Sequence, residues 1–446
     1  MKIIERVSHF ISTLELEQVP SSVILEAKKA MADCIGVSIA AAREPCLSIL
    51  RPLIQRMGGE PRSTLWGTAI RTSPSWAALY NGTMAHALDF DDGGGLHIPL
   101  HPSVPVLPAV IALGEFIGAN GKRVLEAYIC GVEVECALAR GCSRASYDSG
   151  WHATGVFGTM GAAAGSAKLL GLGAGQASDA LGIALSQVGG SRQNFGTMVK
   201  PLHAGRAAMN GILSALLAQD GFTASDGALD GPLGFGKLFD GKNLAEECGT
   251  LGKSYYFAKG VSIKKYPSCH ATHPGIDAVL ELVKNHPIDY RDIKGITCWS
   301  HPSQVSGLPY ALPKTPLEAK FSMQFLLALA CVYGKVELKH FRDDVLKDER
   351  VIDLCRKVGF LAENDIVGSR VTIELSNNKT YTAAVDKPRG HPKYPLSVEE
   401  VKDKFRSCAG VLLPGNEAEE VLGAIFEMDK LRDINSITNA FRREFA

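Results

Sequence analysis

Apolar residues recur at three- and four-residue intervals through most of the chain up to Gln219, a period that predicts helices. Residues 1–18 and 21–43 read as the first two. The second starts after Pro20-Ser21-Ser22 and carries Ile24, Ala27, Ala30, Met31, Cys34 and Val37 on a wide apolar face. The pattern resumes over 75–88, 104–118, 123–142, 154–170, 176–189 and 204–219. The stretch 104–118 is apolar on nearly every side, as in a helix enclosed by others. Gly155, Gly158, Gly161 and Gly165 recur at helical spacing within 154–170. Glycine is a poor helix former, so close tertiary packing must hold that helix.

The pattern changes near residue 255. Residues 293–300, 370–375 and 380–385 read as strands, the last two joined by a hairpin turn at Ser376-Asn377-Asn378-Lys379. Helices are expected over 271–285 and 317–333. After Pro392 and Pro395 the helical period returns, over 397–407 and 417–426. The expected fold is mainly α with a smaller α+β domain. A large all-helical domain takes 1–259 and 396–446, from both chain ends, and an α+β domain takes 260–395.

Composition narrows the function. At 446 residues the chain is long for one core, which favours two domains. Its 47 basic and 47 acidic residues give a formal net charge of zero. That balance leaves no basic field for nucleic acid and no basic amphipathic helix for a membrane surface. No apolar run is long enough to span a bilayer, and the acidic, amphipathic N-terminus is unlike a signal peptide. Eleven cysteines without a Cys-x-x-Cys pair fit reduced thiols in a cytoplasmic protein.

Candidate chemistry concentrates in four segments. From His86 to His101 the chain packs three carboxylates, three imidazoles and three consecutive glycines. Burying that many polar groups has no packing use, and Pro99 and Pro102 place His101 on an extended loop. His152 stands ahead of the glycine-rich helix. Lys200, His203 and Arg206 cluster at the opening of an apolar helix, where Arg206 can grip a carboxylate at two points and the helix start adds amide donors. Lys264, Lys265, Cys269, His270 and His273 lie at the entrance to the α+β domain. Together these residues suit a cleft that binds a polycarboxylate and moves a proton beside it. Metal is disfavoured: prolines keep His97 and His101 off one helical face, and His270 and His273 lack a nearby carboxylate. Gly93-Gly94-Gly95 lacks the Walker lysine, and 171–175 follows no strand, so neither is a nucleotide loop.

These residues carry a resemblance. His86-x-x-Asp89-Phe-Asp-Asp with His101-Pro-Ser, His152-x-Thr-Gly, Lys200-Pro-Leu-His-x-Gly, Lys264-x-Tyr-Pro-Ser-Cys-x-x-Thr-His and Glu318-Ala-Lys-Phe-Ser322 stand in the order of the MmgE/PrpD family, which they resemble from about residue 5 to 430. That family comprises 2-methylcitrate dehydratases, cis-aconitate decarboxylases and iminodisuccinate epimerases. The resemblance implies a homodimer, a helical domain under an α+β lid, and catalysis without cofactor. It places the family's site on Asp89, His101, His152, Lys200 and Lys264. With the residue reading, catalytic roles are expected for Asp89, His101, His152 and Lys264, and substrate contacts for Lys200, His203, Arg206, Cys269 and His273.

Three departures bear on the reaction. Gly93 stands where the decarboxylases have threonine, and Cys269 where they have histidine. The spacing to His101-Pro-Ser is about two residues longer than theirs. The likeness then runs nearest to the epimerases, which implies an isomerase that removes and returns a proton beside a carboxylate, with Lys264 as one base. A dehydratase-like lyase is the alternative, ahead of a decarboxylase. A non-catalytic carboxylate-binding protein is the reading from another class.

Overall fold

A computed structural model describes residues 2–94, 99–259 and 261–443. Two compact units emerge: residues 1–263 with 396–446, and residues 264–395. Helices dominate the first, and a four-stranded sheet with helices makes the second.

The first unit opens with α1 (Ile3–Thr13), α2 (Ser21–Ala40) and α3 (Pro45–Met57). A two-stranded ribbon, β1 (Ser63–Thr64) with β2 (Arg71–Thr72), precedes α4 (Pro74–Ala87). Then come α5 (Ser103–Ile117), α6 (Gly121–Gly141), the short α7 (Ala145–Asp148), α8 (Ala153–Leu170), α9 (Ala174–Leu185) and α10 (Val199–Gln219). The expected α1 ends early, at Thr13, with a separate single turn at Leu16–Gln18. Helix α10 begins five residues before its expected start. Pro201 is tolerated there because the first turn of a helix leaves its N–H groups without intrahelical partners. Helix α3 was not anticipated, since it buries only Cys46, Leu47 and Ile54.

Helix α8 lies against α5, α6, α9 and α10, and its glycines are contact points. A methyl at Gly161 would stand 2.8 Å from Glu135, and one at Gly165 would stand 2.9 Å from the Ala127 carbonyl. Helix α4 also crosses α10 closely. There a methyl on Gly205 would lie 2.2 Å from the Leu79 carbonyl, and one on Gly82 would lie 2.9 Å from the Gly205 Cα. This crossing sets how near Lys200 comes to the end of α4.

The chain end returns to this unit. Helices Val398–Ala409 and Gly415–Phe426 pack on α2. From the first of them, Lys404 pairs with buried Asp33 of α2 at 2.5 Å and donates to the Phe90 carbonyl at 2.8 Å. One lysine thereby fixes the acidic loop to α2.

In the second unit the strand order is β4-β3-β5-β6, with β3 (Ile293–Ser300), β4 (Val358–Ala362), β5 (Ser369–Leu375) and β6 (Thr380–Val385). Strands β5 and β6 form the expected hairpin, with Asn378 in the left-handed region at φ 63°. Strand β4, parallel to β3, was not anticipated. The helix expected over 317–333 is two helices, Pro316–Ala319 and Met323–Tyr333. They break where the Ser322 side chain caps the second by accepting from Phe325 N–H.

Gly205→Ala should test the crossing. Overpacking of this kind costs about 1–3 kcal/mol, so we expect a lower denaturation midpoint together with loss of activity. Gly173→Ala, at a position with open space, should do neither.

Candidate active site

The end of α4 is where the acidic loop begins. His86 lies in its last turn, and Asp89 then takes a left-handed conformation at φ 51°. Aspartate tolerates that region better than most residues, at a cost of about 1 kcal/mol or more. The turn points Asp89 back toward α10. There the Lys200 ammonium donates to Asp89 Oδ1 at 3.0 Å and to His86 Nε2 at 2.8 Å, with all three side chains buried. The Phe195 ring lies 5.5 Å from the same ammonium.

Asp91 binds two imidazoles. Its carboxylate accepts from His86 Nδ1 at 2.9 Å and lies 2.8 Å from His101 Nδ1. His101 Nδ1 also lies 2.9 Å from the Asp92 carbonyl. A carbonyl only accepts, so His101 carries a proton on Nδ1, and its neutral form holds the lone pair on Nε2. That nitrogen is 3.9 Å from Asp89 Oδ1. The backbone N–H of His101 donates to Thr154 of α8 at 3.2 Å, tying the loop to that helix.

His152 stands at the start of α8, its ring 6.0 Å from that of His86. Its Nδ1 is 3.0 Å from Nδ1 of His203, so one of the two donates and the other accepts. Under the loop, the Ser103 hydroxyl donates to Asp92 at 2.6 Å and lies 2.6 Å from the Tyr128 hydroxyl.

Burial and charge set the protonation states. Burial pushes His86 down to about 3, helped by Lys200 and His101 and opposed by Asp91. Burial likewise holds His152 well below its usual value, with Lys200 next in effect. His203 falls to about 4 from burial, Lys200 and Arg206. For Asp91, burial acts upward, but the two bonded imidazoles outweigh it and keep the carboxylate ionised. Asp92 goes the other way, up to about 8, because burial and the nearby Asp33 and Asp91 disfavour a further negative charge.

The structure thus brings together Asp89, His101, His152, Lys200 and His203. Arg206, expected to hold a carboxylate beside Lys200, is exposed to solvent; its rotation along α10 carries it off the face shared by Lys200 and His203. Lys264, Cys269 and His273 belong to the second unit. Lys264 and His273 are buried there, and Cys269 is half-buried. The His273 ring packs against Tyr266 and His270, with Nε2 3.2 Å from the Ser268 carbonyl. Lys265, the neighbour of Lys264, is exposed and pairs with Asp277 at 3.4 Å. His97 lies outside the described residues. Asp91, Asp92 and Ser103 are visible in the sequence only as members of the motifs around His86 and His101, without a role, and Tyr128 is not singled out at all.

His86, Asp89, Asp91 and His101 offer ligand atoms within 4.8 Å of one another, close enough for a metal ion. The Lys200 ammonium already supplies a cation to two of them, His86 and Asp89. That lysine offsets one of the two carboxylate charges, those of Asp89 and Asp91.

Imidazoles and carboxylates thus gather around a buried lysine, beside the end of α4 and the starts of α5, α8 and α10. The chain belongs to the MmgE/PrpD family. The MmgE/PrpD N-terminal domain matches residues 5–247 and the C-terminal domain matches residues 266–428. Over 96% of this chain and 92% of the relative, it is 29% identical to a cis-aconitate decarboxylase of Homo sapiens. A cis-aconitate decarboxylase of Aspergillus terreus is also 29% identical, over 97% of this chain and 94% of the relative. It is 22% identical to a 2-methylcitrate dehydratase of Escherichia coli strain K12, over 90% of this chain and 89% of the relative.

These relatives correct the expected isomerase: they are lyases, a decarboxylase and a dehydratase. The physical reason is that epimerisation, dehydration and decarboxylation all manage charge beside a carboxylate. A histidine-lysine-aspartate set does not separate them. Among the described residues no helix is long and apolar enough to cross a membrane.

Asp92 yields a test. Its ordinary value is 3.8 and its buried value about 8. Between these the folded chain holds a proton that the unfolded chain has released, so stability falls as pH rises through that window. Asp92→Asn removes this contribution. Thermal melts across the window should decline less steeply in the variant; parallel curves would mean Asp92 is ionised in the fold. Glu133, raised to about 7, acts in the same direction, so a residual slope should remain.

Proposed function

We propose that this chain is a lyase that removes water from a hydroxy-polycarboxylate by taking a proton from the carbon beside a carboxylate. The observation that carries this is the convergence of three helix starts on the Lys200 cluster. Helix α5 begins just after His101, α8 just after His152, and α10 just before Lys200. Helix N-termini favour anions, and Lys200 adds a full charge. Together they neutralise the negative charge that builds on carboxylate oxygens as the proton leaves.

His101 is the base in this proposal, through Nε2. The imidazolium it becomes stands between the Asp89 and Asp91 carboxylates, which stabilise it. His152 hydrogen-bonds the departing hydroxyl when His203 donates to its Nδ1 and its own proton sits on Nε2. As the carbon–carbon double bond forms, His101 passes the proton it took to the hydroxide held at His152, so water leaves and both imidazoles end neutral. Base, donor and cationic cradle all come from the chain. Lys264 remains a candidate for substrate contact, and a homodimer remains part of the proposal, open to light scattering.

Decarboxylation of cis-aconitate is the second reading. It is favoured by the higher identity to the decarboxylases, 29% against 22% for the dehydratase. Against it stand Gly93 and Cys269, where the decarboxylases are expected to have threonine and histidine.

The purified chain should be given 2-methylcitrate, citrate and cis-aconitate separately, with unsaturated acid and carbon dioxide both measured. Water loss from a hydroxy acid is expected. Carbon dioxide from cis-aconitate would move the assignment to the second reading, and neither product from folded protein would overturn lyase activity. His101→Asn should lower kcat by about 10²–10⁴-fold, the usual contribution of a general base, with KM little changed.

A further inference from the structure

The acidic loop contains a carboxylate that the proposed reaction does not use directly. Asp91 is fully buried, and it accepts hydrogen bonds from two imidazoles at once. Each imidazole has an independent partner that fixes its tautomer. On His86, Nε2 receives the Lys200 ammonium at 2.8 Å, so its proton must be on Nδ1, facing Asp91. On His101, the Asp92 carbonyl 2.9 Å from Nδ1 requires the same. Both Nδ1–H groups therefore point at one carboxylate, and both Nε2 lone pairs point away from it.

We propose that Asp91 is the positioning residue of this site, one carboxylate that sets two tautomers together. Through His86 it prepares an acceptor that holds the Lys200 ammonium in place. Through His101 it turns the basic nitrogen to the side of Asp89. Asp91 touches no reacting atom in this scheme; it acts through the two rings. The proposal rests on the lyase reading for its catalytic meaning, but the tautomers themselves do not.

The geometry makes an asymmetric demand that an amide fails. Asparagine at this position keeps the size but offers one acceptor oxygen and one N–H₂ donor. Whichever way the amide turns, its N–H₂ replaces an oxygen that lies 2.9 Å from His86 Nδ1 or 2.8 Å from His101 Nδ1, and there it meets an N–H. One ring must flip its proton to Nε2, and a histidine held in the wrong tautomer loses most of its use as a base. If the flipped ring is His86, Lys200 loses its acceptor; if it is His101, the base is lost.

The test has a spectroscopic and a kinetic arm. In enzyme labelled with nitrogen-15 at histidine, resonances assigned by His86→Gln and His101→Gln should show both rings protonated at Nδ1. In Asp91→Asn at least one should move to Nε2. In turnover, Asp91→Asn should lose about 10²–10⁴-fold in kcat, the scale seen when a base loses its orienting carboxylate, with KM changed far less. Wild-type rings protonated at Nε2 would overturn the proposal whether or not any lyase substrate is found. Equal tautomers in wild type and Asp91→Asn would overturn it as well. Correct tautomers with no turnover of any polycarboxylate would sink the lyase reading and leave the positioning role standing. If Asp91→Asn does not fold, the wild-type spectrum alone still decides the tautomers.

Discussion

A buried ammonium is the constraint on which the site depends. Lys200 is 4% exposed, and a charge taken that far from water needs partners. It finds Asp89 and His86, and each partner is held by something else. Asp89 reaches it through a left-handed turn at the end of α4. His86 reaches it because its other nitrogen is committed to Asp91. The approach of α10 to α4 that brings the ammonium there requires Gly82 and Gly205 to face each other without side chains. Backbone conformation, helix packing and tautomer thus all serve one electrostatic requirement. The loop is further fastened from the chain's far end, where Lys404 binds Asp33 and the Phe90 carbonyl. Removing either partner of a buried pair leaves an uncompensated charge and costs about 3–5 kcal/mol.

Much of the fold was legible because it is written in periodicity. Helices such as α2, α5 and α8 bury broad apolar faces, so their residues carry the helical period in plain view. Helix α3 does not, because it lies on the surface with Ile49, Leu53 and Met57 exposed and Pro52 inside it. Strand β4 escaped for a related reason: it is short, mostly exposed and interrupted by Gly359, so it lacks alternation. The break before Met323 depends on one serine hydroxyl capping a helix, which an apolar period does not register.

The site was legible in its members more than in its wiring. His101, His152, Lys200 and Asp89 stand out as polar residues at the edges of apolar helices. Asp91 and Asp92 are neighbours of identical composition, yet one is ionised between two imidazoles and the other is neutral under a serine hydroxyl. Only the fold separates them. The reaction was less legible still: the relatives are lyases, which corrects the expected isomerase. A shared first step, charge management beside a carboxylate, explains why the residues alone pointed to the site and not to the outcome.

The central claim, a polyanion cradle anchored by Lys200, is tested most directly by equilibrium binding of tricarballylate, which has three carboxylates and no leaving group. The comparison is wild type against the double variant Lys200→Met with Asp89→Asn, which removes both members of the buried pair and leaves no lone charge behind. The account predicts at least about a tenfold loss of affinity in the double variant, about 1.4 kcal/mol, with the folded structure retained. Unchanged affinity in a folded double variant would contradict it.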